Sequence, residues 1–196
     1  MDVIDRLAGI APGSPLDAIR DGRLQARKHA QAAYDALFKP ASEADASRAE
    51  RLAIACFVSG LHGQPGVEAY YLEGLSDSEA PAAWRDAIAG AVAAGKGQGP
   101  FGRYPKGPLS GEDTPGPVLT LDGSLKAALG PRLAAAFEHT HMLVFHPRDS
   151  SPAHLQALID GGWSTTGIVV ISQLVAFLSY QIRVAAGLRV LNGRLA

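Results

Sequence analysis

A single thiol and a nearby histidine, carboxylate and phenol are the residues of this chain best suited to shared chemistry. Cys56 is the sole cysteine, and His62, Glu68 and Tyr71 follow it closely. A thiolate can attack a peroxide, while an imidazole, a carboxylate or a phenol can move the protons such a reaction releases. The spacing argues against that use of Cys56. Leu52, Ala55, Cys56, Ser59 and Gly60 recur at three- and four-residue steps, which puts the thiol on a small, apolar helix face. A thiol packed there behaves as a small hydrophobe, and burial raises its pKa. His62 stands at the end of that helix beside Gly63. With Glu68 and Tyr71 it could form an acid/base cluster, or it could simply be a histidine favoured by the helix dipole.

His139, His141 and His146 also suggest chemistry, that of a metal. On a helix, positions two apart point away from each other, so only His139 and His146 share a face. No carboxylate accompanies them at ligand spacing, and no metal or cofactor is expected. Lys96-Gly97-Gln98-Gly99 lacks the strand–glycine–lysine–helix order of a phosphate loop and is set aside.

These residues need helices to hold them. Residues 3–10 read as a short amphipathic element, and Ser14-Pro15-Leu16-Asp17 opens another with cap, proline and acid in place. A helix over 23–38 has Leu24, Tyr34, Leu37 and Phe38 as its buried residues. The next spans 44–61. After a break at His62-Gly63-Gln64-Pro65-Gly66 a short helix covers 67–75. Ser76-Asp77-Ser78 is expected to cap a further one that reaches Ala94.

Residues 95–117 hold Pro100, Pro105, Pro108, Pro115 and Pro117 among many glycines, too many for helix or central strand. A loop this long is either a solvated excursion or a lid or arm, the latter laid on a neighbouring subunit. Residues 118–121 are the only strand candidate. Helices follow over 131–145 and from Ser151-Pro152 to Gly161-Gly162.

The last helix, 164–188, is the most apolar. Ser164 caps it, Gly187 marks its end, and no charge falls between Gly161 and Ile182. That length would span a membrane. Ser172, Gln173, Ser179, Tyr180 and Gln181 interrupt it, however, and point to a long, buried C-terminal helix at the centre of an all-α fold.

Two stretches, taken together, resemble the alkylhydroperoxidase D and carboxymuconolactone decarboxylase superfamily, in its peroxidase-related branch. Residues 50–63, ERLAIACFVSGLHG, are similar to the helix that leads into that family's active-site turn. Residues 133–188 resemble its closing unit: a helix, a proline turn, a short helix ending Gly162-Trp163-Ser164, then an apolar helix ending Arg183-Val184-Ala185-Ala186-Gly187-Leu188. They cover roughly half the chain. The resemblance implies an alkylhydroperoxidase D-like helical domain over 41–196, a helical arm over 1–40, and assembly as a homo-oligomer.

It also implies where thiol chemistry would sit. The family's thiol peroxidases carry Cys-x-x-Cys after the first helix, then a histidine, with a glutamate upstream. Here those positions fall on Gln64, Val67, Tyr71 and Leu52. None forms a thiolate, so the dithiol reaction is chemically absent. The expected function is therefore a peroxidase-related protein without its redox dithiol, binding a small molecule or serving as a structural oligomer. An acid/base enzyme of decarboxylase type using His62, Glu68 and Tyr71, or a one-cysteine peroxidase using Cys56, are the alternatives.

Composition narrows the partners. Hydrophobic residues make up 47% and the formal net charge is -1, with 18 Lys and Arg spread among 19 Asp and Glu. Nothing there favours a nucleic-acid partner. The acidic, short start MDVIDRLAGI does not read as a secretory signal, and one cysteine fits a reducing cytoplasm. The expectation is a cytoplasmic homo-oligomer with no membrane partner.

Overall fold

The computed structural model describes residues 1–99 and 101–195, and these are all-α. Helices α1 (Val3–Ala8), α2 (Pro15–Asp21) and α3 (Leu24–Phe38) precede α4 (Arg48–Leu61), α5 (Pro65–Ser76) and α6 (Ala83–Gly95). The proline-rich loop then leads to α7 (Gly123–Phe145), α8 (Pro152–Asp160) and α9 (Thr165–Leu195).

The central position belongs to α4 rather than to the C-terminal helix. Every residue of α4 from Arg51 to Leu61 is buried. Ser47 and Glu50 start it with a reciprocal capping box, which satisfies two backbone amides at once. Its small residues then let neighbours approach from several sides, and α5, α6, α7 and α9 all pack on it. Phe57 stacks on Phe137 of α7 at 4.3 Å between ring centroids. Complete burial of a ring of this size contributes about 1.5–3 kcal/mol.

Ser164 caps α9 as expected, accepting from the Gly167 amide at 2.9 Å. The helix does not stop at Gly187 but continues to Leu195. Gly187 is not among the glycines with positive φ, so it supplies no left-handed stop. Beyond it, Leu188 packs on the small cluster Ala8, Ile10 and Leu16, and Arg189 donates to the side chain of Gln64. Those contacts carry the helix on.

α9 buries one face and leaves the other in solvent. Ile168, Ile171, Leu174, Val175, Leu178, Ile182 and Ala185 face the core. Thr166, Val169, Gln173, Ala176, Tyr180, Arg183, Gly187 and Val190, at alternating three- and four-residue steps, are exposed. By length and composition this helix could cross a membrane, and half of its most apolar window is buried inside the protein.

The first forty residues join the same core through Val3, Ile4, Leu7, Ala30, Leu37 and Phe38. Leu24, expected inside, is 63% exposed. An ion network fixes these helices to one another. Arg20 and Arg27 together hold Asp2 and the buried Asp5, and Arg27 also reaches Asp17.

Two further expectations are corrected. Among the described residues the extended chain 118–121 pairs with no strand; Leu119 and Leu121 turn into the core, and the Leu121 amide donates to Glu138 at 2.9 Å. Ser76 and Ser78 do not cap α6. Their hydroxyls donate back to the carbonyls of Leu72 and Leu75 at the end of α5, and α6 begins only after Pro81.

The described part of the loop lies on its own chain. Gly102 pairs with Thr114, Phe101 donates its amide to the Phe145 carbonyl, and Asp149 accepts from the Arg103 amide. The Arg148 guanidinium lies 3.8 Å from the centre of the Tyr104 ring. The loop is thereby pinned over the end of α7.

Candidate functional site

The end of α4 and the start of α5 meet the middle of α9, and this junction holds the residues singled out in the sequence. Cys56 has no exposed surface. Burial, with Glu68 adding its negative charge, pushes the thiol up to about 12, so it stays protonated at neutral pH. Tyr71 is also fully buried. Its hydroxyl donates to the Gln181 side-chain carbonyl on α9, and its ring stacks on Phe38. Burial holds its phenol well above the usual range.

His62 is half-buried at the end of α4, with Nε2 3.4 Å from the Ser179 hydroxyl. Burial, and then Arg183, lower its pKa to about 4, so it is a neutral imidazole at pH 7. Ser179 and Gln181 are two positions apart on α9 and face different ways. His62 and Tyr71 therefore tie α9 at separate points. Among the described residues no hydrogen bond joins His62, Glu68 and Tyr71 to one another, and the acid/base cluster does not form as a unit.

Gln64 and Val67 stand at the positions where the resemblance puts two thiols. Gln64 accepts from Arg189 across to α9, and Val67 is buried in the core. Glu50, near the expected carboxylate position, pairs with Arg132 at 2.6 Å. Arg132 also donates to the Asp45 and Gly162 carbonyls and stacks on Trp163. These groups join helices.

A second constellation lies elsewhere, and the sequence reading only partly found it. Ala135, Glu138, His139 and Met142 on one face of α7 border a cavity of about 160 Å³ with His141, Val118–Thr120, His154 and Ala157. His146 borders it too, but lies just past the end of α7 in non-helical backbone and so does not share a helix face with His139 as expected. Residues 139 and 141 were expected to diverge, and their rings do: His141 Nε2 meets the Gly95 carbonyl at the end of α6. Both nevertheless border the same space. His154, from α8, was missed because no pattern within one helix links it to α7.

The imidazoles here are buried and under-bonded. His139, His141 and His146 are each 5% exposed or less. Both nitrogens of His139, Nδ1 of His141 and Nε2 of His146 have no hydrogen-bond partner among the described residues. Burial lowers the pKa of His139 to about 4 and also lowers that of His141. As the rings lie, no group of three His, Cys, Asp or Glu side chains among the described residues is arranged to hold a metal ion.

Comparison of the chain with family models, curated proteins and solved structures finds no match.

Proposed function

We propose that this chain is an alkylhydroperoxidase D-like, peroxidase-related protein that acts by binding and assembly, as a homo-oligomer, without thiol redox turnover. One observation carries the reading. The sole thiol, Cys56, is sealed inside the most buried helix and held protonated, while Gln64 and Val67 occupy the neighbouring positions as structural residues. Peroxide reduction by sulfur needs an accessible thiolate and a second group to resolve its sulfenic acid. Neither is at hand.

Support for assembly comes from the exposed stripe of α9. Val169, Ala176, Tyr180 and Val190 lie along it, and beside it Ala33, Ala36, Leu37 and Pro40 line an apolar groove with Val170 and Phe177. A second copy laid along this face would cover both. The test of the chemical half is direct. With an organic hydroperoxide and a dithiol reductant, wild type and Cys56→Ser should both stay at the background rate. Turnover that vanishes in Cys56→Ser would refute the reading.

A further inference from the structure

Arg51 is a buried cation that no carboxylate meets. Only 4% of it is exposed. Its Nε donates to the Ala46 carbonyl at 2.9 Å and its Nη1 to the Leu37 carbonyl at 2.8 Å, which ties the start of α4 to the end of α3. Both acceptors are neutral. Among the described residues Nη2 has no partner, and no acidic side chain comes within ion-pair distance of the guanidinium. Burial lowers its pKa, and Glu43, Glu50 and Asp45 oppose this only through space. Arginine stays charged at neutral pH all the same, and a buried charge is costly unless a counter-ion joins it.

This guanidinium borders the apolar groove between α3 and α9, a space of about 610 Å³. Ala33, Ala36 and Leu37 of α3 form one wall, and Val170, Ala176 and Phe177 of α9 the other. Ser42, Thr166 and Gln173 add neutral polar groups. The one acid on the lining, Asp45, has its carboxylate engaged by the Ser164 hydroxyl at 2.6 Å. Size and lining are those of a small-molecule site: mostly apolar walls with a few placed polar groups.

An apolar trough with a single buried cation is complementary to a molecule with an apolar chain and a single negative head. From this geometry we propose that the groove binds an aliphatic monocarboxylate of the fatty-acid class, its chain lying between α3 and α9 and its carboxylate accepting from Arg51. A planar guanidinium edge suits a carboxylate better than a point charge would. The inference rests on the binding part of the proposed function and gives it a ligand. A second copy laid along α9 would roof the groove without supplying the missing anion.

Titration calorimetry of the full chain with decanoate, decanol and decylammonium, each below its micelle concentration, tests this. Decanoate should bind at one equivalent per chain, roughly tenfold or more tighter than decanol, with decylammonium weaker than either. Arg51→Gln should abolish the preference for decanoate and leave decanol binding unchanged, an outcome that a purely structural arginine would not produce. If Arg51→Gln fails to fold, Ala36→Trp decides the matter. It fills the groove from an exposed helix position and should weaken decanoate and decanol binding alike, by roughly tenfold or more. Ala32→Trp, exposed on α3 and outside the groove, should change neither. Sedimentation of the same samples reads assembly separately: a monomer that binds decanoate would refute the oligomer and leave this site standing. No decanoate binding, binding no tighter than that of decanol, or binding that Ala36→Trp leaves intact would overturn the proposal.

Discussion

Burial keeps His62 neutral, and this makes it a source of acid sensitivity. Its pKa falls from 6.5 to about 4 on folding, mainly through lost solvation and secondarily through Arg183. Between those values the unfolded chain binds a proton that the folded chain refuses. The contribution of neutral His62 is thus complete above pH 6.5 and is lost as the pH falls towards 4, with a slope of at most about 1.4 kcal/mol per pH unit. Urea midpoints measured across that window should fall less steeply in His62→Asn than in wild type. An unchanged slope would shift the acid sensitivity to another buried imidazole, such as His139. At this scale the burial of Cys56 was legible because its neighbours at three- and four-residue steps are all small or apolar. The meeting of His139 and His141 at one cavity was not. Face arithmetic considers a single helix, whereas the cavity is closed by α8 and by the extended chain 118–120.

Two glycines show how helices here depend on what touches them. A Cβ on Gly60 would lie 2.5 Å from a Val92 methyl, where α4 and α6 cross. Gly60→Ala should force those helices apart and cost about 1–3 kcal/mol. Gly187 meets nothing within 4 Å and lies in a helix interior, so Gly187→Ala should stabilise by about 0.5–1 kcal/mol. Thermal unfolding of the two variants should shift in opposite directions; a shared direction would contradict this account of the α4–α6 contact. Helix starts were legible where a cap precedes a clear pattern, as at Ser14 and Ser164. Helix ends were less so. Gly187 carries the residue type of a stop but not its backbone conformation, and the contacts of Leu188 and Arg189 that prolong α9 come from distant parts of the chain.

On the scale of the whole molecule, the long apolar helix covers the core with one side and offers the other. Its outward stripe from Thr166 to Val190 holds no acidic residue and only one basic residue, Arg183. The homo-oligomer proposed above should sediment as a dimer or larger species at micromolar concentration, and Ala176→Glu with Tyr180→Glu should shift it towards monomer by placing desolvated charge in the contact. Sedimentation as a monomer before any substitution would remove the oligomeric part of the reading. The all-α class was plain from the sequence, because helical spacing recurs through most of the chain. Which helix lies at the centre was not plain: α9 is longer, but α4, with Ala53, Ala55 and Gly60, is the one its neighbours can approach on every side.

Thiol reactivity in the native state tests the central claim, that the one thiol is structural. Cys56 should react with an aromatic disulfide reagent only when the chain opens. Its rate in native buffer should then be about a thousandfold or more below the rate in denaturant, in proportion to the population of opened molecules. Stoichiometric labelling within the mixing time, with the helical circular dichroism intact, would show an accessible thiol and contradict the account.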